Sequence, residues 1–229
     1  MRLFTYCLRY DDGAAPNPFW GVCTLTICKP VIRRNAQIGD WVVGTGSTNS
    51  PQGDRSHSIL YAMKVTGRLT LAQYDEHCRK HLPGKIPLWP NEDFARLVGD
   101  CLYDHTKIMD GKPAQRRGVH SMVNRDTDLD GKHALLSDEF YYWGDQAIDL
   151  PECLHPICHP MQGHKSNANA PHIPEFLTWL ESLGLPKNTL VGRPQLQGHI
   201  LASARAGVCA PCGRQDREED EADEACRSC

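Results

Sequence analysis

His120 and Asp126 lie close together in a polar stretch of the sequence, with Arg125 beside the carboxylate. Histidine titrates near neutral pH, and a carboxylate can orient it or exchange protons with it, so the pair suits proton transfer. Arg125 and Asp126 can equally pair with each other at the surface. A thiol nucleophile needs such a base, or a cation, close by. Cys23 is the candidate thiol, with Cys28 five residues further on. Both belong to the strand expected over 22–28, so the odd separation turns them to opposite faces, and at most one enters a shared pocket. Lys29 or His120 would then supply the activating group. The alternative is that both cysteines are small buried apolar residues.

A second set of residues is suited to holding a nucleotide. Asp12-Gly13 leads into Pro16-Asn17-Pro18, a stiff loop in which Asn17 offers an amide with both a donor and an acceptor. Such an amide can read complementary positions on a base edge. Gly44-Thr45-Gly46-Ser47 brings backbone N–H groups and the Thr45 and Ser47 hydroxyls together at a strand end, which suits a phosphate. Lys29, Arg125 and the pair His164-Lys165 can neutralise phosphate charge. Each of these is also an ordinary turn or a solvated charge when taken alone. Trp20, Trp41, Tyr142 and Trp143 could stack on a base, though strand aromatics more often fill a core.

Metal chemistry has two candidates, the second weaker than the first. Cys209-x2-Cys212 and Cys226-x2-Cys229 have nearly the spacing of a zinc ribbon. The thirteen residues between the pairs contain no aromatic or large aliphatic side chain, and they carry seven carboxylates. Both features weigh against four thiolates around zinc, which already bear net negative charge. Cys153, His155, Cys158 and His159 are crowded into seven residues, unlike ligand pairs held on two separate segments.

The chain has 229 residues and a formal charge of -3. That charge is uneven, because residues 1–208 hold 22 basic and 21 acidic groups and the rest of the imbalance lies in the tail. Contact with nucleic acid is therefore permitted. Eleven cysteines, an odd number, with no apolar leader at the N-terminus, fit reduced thiols in the cytoplasm rather than a disulfide framework. No apolar run is long enough to span a membrane. Neither GxGxxG nor GxxxxGK[ST] occurs, so dinucleotide and P-loop sites are excluded on motif.

Strand formers fill residues 2–9, 22–28, 40–45 and 58–66, and return at 134–136 and 140–143. Thr70 and Gln73 form a capping box for a helix that Gly84 can end. A second helix starts near Asn91. A third has Pro174 in its first turn, Phe176, Leu177, Leu180 and Leu183 as its stripe, and Gly184 at its end. Residues 104–132 read as a long polar loop. Strands come first and helices do not alternate with them regularly, so the expected class is α+β, a curved or barrel-like mixed sheet with flanking helices. The expected organisation is one domain over 1–190, a linker over 191–208 and an acidic, disordered tail over 209–229.

The order Asp12-Gly13, Pro16-Asn17-Pro18-Phe19, Cys23-Thr24-Leu25, Cys28-Lys29-Pro30, Gly39-Asp40-Trp41 and Gly44-Thr45-Gly46-Ser47 resembles the nucleotide modification associated domain 2 family. The resemblance continues through Gly99-Asp100, Tyr103, His120, Arg125-Asp126-Thr127, Leu136-Ser137, Phe140-Tyr141-Tyr142, Gly144 and Gly163-His164-Lys165. It implies a role on a modified nucleotide in DNA, alongside other DNA-modification enzymes of bacteria and phages, with no established reaction. The run from Gly39 to Ser47 with Ile59 to Thr66 is similar to the core of PUA-like domains, small curved barrels that hold RNA or a modified base. Three readings follow. The chain processes the modified nucleotide, reads it without turnover in an aromatic-walled pocket, or scaffolds other enzymes through an exposed apolar patch. Convergence of His120, Asp126 and a cysteine or lysine on one cleft would favour the first, and an aromatic cage without titratable groups the second.

Overall fold

A computed structural model describes residues 1–161 and 163–206. Cys209, Cys212, Cys226 and Cys229, and with them the first zinc candidate, lie outside the described residues. In chain order the strands and α-helices are β1 (Leu3–Cys7), β2 (Cys23–Leu25), α1 (Pro30–Asn35), β3 (Trp41–Thr45), β4 (Ser58–Lys64), β5 (Gly67–Thr70), α2 (Leu71–His81) and α3 (Phe94–Leu97). There follow β6 (Tyr103–Met109), β7 (Lys112–Gln115), α4 (Arg125–Asp130), β8 (His133–Ser137), β9 (Glu139–Tyr142), β10 (Ile148–Asp149), α5 (Ile173–Ser182), β11 (Thr189–Leu190) and α6 (Gln197–Arg205).

The largest sheet runs β1-β3-β4-β9-β11, with β10 also pairing on β4. Its outer pairs β1–β3 and β9–β11 are parallel, and its central pairs are antiparallel. β4 is buried on both faces along nearly its whole length, which is why its sequence is an almost continuous apolar run. On one side Ala62, Val43 and Trp41 pack with Phe176 and Leu180 of α5. On the other, Met63, Tyr61 and Val42 pack with Leu25 of β2 and Leu135 of β8. β2-β8-β5 form a second, antiparallel sheet. The class is mixed α+β with flanking helices, and none of the sheets closes into a barrel among the described residues.

The caps at Thr70 and Gly184 act as the sequence suggests, whereas Gly84 does not end α2: the helix stops at His81, capped by Leu82, and Gly84 lies in the following 3-10 turn without a left-handed φ. Thr70 Oγ1 accepts from Gln73 N–H at 3.2 Å, and Gln73 Oε1 accepts from Thr70 N–H at 2.9 Å. Gly184 takes φ +63 beyond the end of α5, a conformation glycine adopts without a Cβ penalty. α3 is shorter than expected and is capped by Asp93, not Asn91. Residues 197–205, in the stretch expected to be a linker, are helical, and Ile200 and Ala204 pack with Phe94, Leu97 and Val98.

Residues 104–132 differ most from expectation. They hold the β6–β7 hairpin, reversed through Asp110-Gly111, and helix α4. Most of the outer hairpin is exposed, so it carries no apolar alternation, and its Asp-Gly turn was the available signal.

Candidate active site

β2 ends at Leu25 and the chain then makes an abrupt corner. Cys28 and Lys29 both take left-handed conformations, φ 55 and φ 42, immediately before Pro30 starts α1. Left-handed backbone at two successive residues with side chains is strained and must be held by its surroundings. Arg33, wholly buried, supplies the hold. Its guanidinium donates to the carbonyls of Cys28 (2.7 Å), Thr26 (2.7 Å) and Asp128 (2.5 Å). Gly131 gives the guanidinium room, since a Cβ there would lie 2.1 Å from Cζ of Arg33.

The corner presents the Cys28 thiol to His120. Sγ lies 3.3 Å from Nε2, and Nδ1 on the other side of the ring lies 2.6 Å from Oδ2 of Asp128. Asp128 Oδ1 accepts the N–H of Cys28 at 2.8 Å, and Oδ2 also accepts the Tyr103 hydroxyl at 2.8 Å. With Nδ1–H donated to the carboxylate, Nε2 is left to accept the thiol proton. Thiol, imidazole and carboxylate thus stand in the order used by cysteine nucleophiles.

Electrostatics define the resting state. Burial pushes the Cys28 thiol up, and the charges of Asp128 and Asp12 add to that, while His120 pulls it back. Burial also acts to raise Asp128, but His120, Arg33 and the Cys28 N–H outweigh it and hold the carboxyl below its ordinary value. Asp12 is raised by burial, with His120 opposing. The thiol is therefore held toward its neutral form and the Asp128 carboxyl toward its ionised form.

Cys28, His120 and Asp128 are also the one group of three metal-ligating side chains brought within 4.8 Å of one another among the described residues. Nδ1 faces Asp128, so an ion would sit at Nε2 beside Sγ, with Asp128 orienting the ring from behind. Two protein ligands are fewer than the three a catalytic zinc uses. The arrangement fits proton relay better than chelation.

The other sequence candidates are placed as follows. Asp12 stands beside His120 and Cys28, its Oδ1 accepting from Ala14 N–H at 2.8 Å. Lys29 adjoins Cys28 and holds its ammonium 4.9 Å from the centre of the Tyr6 ring. Asp126 is on the far side of α4, 73% exposed and paired with Lys112. Two positions along a helix turn a side chain by about 200°, so Asp128, not Asp126, meets His120. Cys23 is completely buried, with its thiol 3.9 Å from the Met63 sulfur and pushed up to about 12 by burial. Asn17 is equally buried. Its oxygen accepts from Lys85 Nζ at 2.7 Å and its nitrogen donates to Val98 O at 2.8 Å, so its amide is occupied within the core.

Thr45 is buried at the end of β3, donating to Tyr6 O at 3.3 Å. Ser47 is nearly buried, and its hydroxyl accepts from Asn49 N–H at 3.1 Å. Arg125 opens α4, with Nε and Nη1 buried and without a hydrogen-bond partner among the described residues. His164 is buried against Phe4. Lys165 pairs its backbone with Thr5 of β1, and its ammonium donates to the carbonyls of Pro156 and Cys158 at 3.2 Å. Trp41, Tyr142 and Trp143 belong to the core, and Trp20 alone of the four proposed stacking residues is exposed.

The fold is mixed α+β, and its corner at Cys28 sets a cysteine, a histidine and an aspartate in line. The chain belongs to the nucleotide modification associated domain 2 family, whose model matches residues 1–199. That family connects it with nucleotide-modification systems. No curated protein and no solved structure matches it. No helix among the described residues is long and apolar enough to cross a membrane.

Proposed function

We propose that the chain is an enzyme of a DNA-modification system, acting in the cytoplasm on a modified nucleotide through Cys28. The observation behind this is the line Cys28 Sγ–His120–Asp128, 3.3 Å and 2.6 Å, at a strained corner that Arg33 holds in place. The reaction class is acyl transfer. His120 Nε2 takes the thiol proton as the sulfur attacks the carbonyl carbon of an amide or ester carried by the base. The tetrahedral oxyanion collapses, the C–N or C–O bond breaks, and the proton on His120 passes to the leaving nitrogen or oxygen. Water, deprotonated by His120, then releases the thioester. Asp128 keeps Nδ1 protonated and the ring aligned throughout. Lys29, next in sequence to Cys28, and Asp12, whose charge acts on the thiol, contact the nucleotide, and Lys29 is the residue suited to phosphate.

The test is to incubate the full chain with modified and unmodified DNA and to analyse the nucleosides by mass spectrometry. A change made by the chain and absent with Cys28→Ser is expected. No change, together with selective binding to the modified DNA, would replace the enzyme with a reader of modified bases, for which the likeness of residues 39–47 and 59–66 to the core of PUA-like domains is the support.

A further inference from the structure

The β6–β7 hairpin joins the site at one end and leaves the body of the molecule at the other. At its base Tyr103 donates to Asp128, and Gln115 Nε2 donates to the carbonyl of His120 at 2.8 Å. Lys112 near the tip pairs with Asp126 on α4. The chain reverses at Asp110 and Gly111, φ 53 and φ 74, the tight turn that Asp-Gly favours. Directly before that turn Ile108 and Met109 are 64% and 59% exposed. Side chains at an exposed turn facing only water are ordinarily polar. Lys107 beside them is 75% exposed, and residues 103–117 carry four basic and two acidic side chains. Met122 and Val123, just before α4, are exposed as well.

We propose that the hairpin tip is a wedge, with Ile108 and Met109 entering the base stack of duplex DNA next to the nucleotide presented to Cys28. This rests on the reading of the site as one that acts on DNA. A base within a duplex cannot bring its substituent to a half-buried thiol, so the nucleotide must leave the stack, at a cost of a few kcal/mol. Apolar side chains inserted at the vacated step offset that cost, and lysines beside them meet the flanking phosphates. The seven residues from Tyr103 to Met109, six strand steps, reach up to about 20 Å, less the bulge at 105–107, which exceeds the roughly 8 Å depth of either groove. Ile108 and Met109 sit at a narrow tip between Lys107 and Lys112, a setting that suits a polyanionic duplex better than an apolar protein surface.

The experiment uses the full chain and a short duplex with a T·G mispair flanked by 2-aminopurine, whose fluorescence rises when it unstacks. The wild-type chain is expected to raise it on the order of threefold, and Cys28→Ser to do the same. Ile108→Ser/Met109→Ser should abolish the rise and weaken binding about tenfold, with the same melting temperature and the same rate of Cys28 alkylation by iodoacetamide. Lys107→Ala should weaken binding and flatten its salt dependence. No rise with the wild-type chain, or an equal rise with the tip variant, overturns the wedge. So does a tip variant whose only change is loss of self-association in sedimentation. Cys28 alkylation, read in the same samples with His120→Ala, tests the catalytic site independently of this outcome.

Discussion

The carboxylate of Asp128 accepts the backbone N–H of Cys28 at 2.8 Å through one oxygen and faces His120 Nδ1 at 2.6 Å through the other. One side chain therefore fixes both the position of the nucleophile and the orientation of the base. Asp128→Asn keeps the volume but reverses a donor and an acceptor at one of these two contacts, and it removes the charge opposite the imidazole. Turnover should fall by about 10⁴-fold, the loss seen when the orienting carboxylate of such a triad becomes an amide. Asp126→Asn, exposed and paired with Lys112, should leave turnover within about twofold, since exposed ion pairs contribute little. Equal losses in the two variants would remove Asp128 from the site.

How far that division was legible in the sequence depends on geometry that spacing does not carry. His120 is identifiable as a candidate because histidine in a polar stretch is suited to proton transfer, and Asp12 follows from the unusual run that includes it. The carboxylate partner does not follow, because Asp126 and Asp128 are equivalent in type and separated only by the turn of α4. Cys28 and Cys23 pose the same difficulty. Treating residues 22–28 as one strand hides the corner at Cys28-Lys29-Pro30, although proline at a helix start was a visible sign of it. Asn17 has the right chemistry for a base edge but is consumed by buried Lys85, a long-range partner 68 residues away. Strands β1 to β4, β8 and β9 and helices α2 and α5 were legible, because periodicity and capping are local, whereas β5, the exposed β6–β7 hairpin and the two-residue strands β10 and β11 carry no apolar pattern of their own.

Gly131 is a steric test of the hold on the corner. A methyl group there would meet the Arg33 guanidinium, which also bonds the carbonyls of Cys28 and Asp128. Gly131→Ala should destabilise the fold by about 1–3 kcal/mol, the usual penalty for overpacking. Alkylation of Cys28 should change as well, because displacing Arg33 releases the strained backbone. Gly21→Ala, where nothing lies near the added Cβ but φ is +77, tests strain without contact with Arg33. It should lower the melting temperature without altering alkylation. A Gly131→Ala chain with unchanged stability and alkylation would show that Arg33 moves aside freely.

Three charges act on the Cys28 thiol beyond the effect of burial. His120 favours the thiolate, and Asp128 and Asp12 disfavour it. His120→Ala should raise the thiol further above its ordinary value and slow alkylation at neutral pH, by on the order of tenfold for each pKa unit. Asp12→Asn removes a negative charge while keeping an oxygen for Ala14 N–H, so it should lower the thiol and speed alkylation at the same pH. Peptide mass spectrometry resolves Cys28 from the other cysteines. Shifts of the same sign in the two variants would contradict this electrostatic account.

Asp11 makes the stability of the chain depend on pH. It is buried against Tyr142, whose hydroxyl it accepts at 2.6 Å, and it anchors residues 195–196 through its carboxylate and its carbonyl. Burial raises its pKa from 3.8 to about 7, against the opposing bond from Tyr142. The folded chain therefore binds a proton more tightly than the unfolded chain does. The contribution of that proton is fully present below the unfolded value and is lost as pH rises through the folded one. Stability should fall between about pH 4 and pH 7, by at most about 4 kcal/mol from this group. Asp11→Asn keeps a neutral side chain of the same size at all pH values, so its melting temperature should vary less than wild type over that window and exceed it above neutrality. Parallel melting curves for the two chains from acid to mildly alkaline pH would mean that Asp11 stays ionised in the fold, with Tyr142 and the 195–196 backbone sufficient to stabilise its charge.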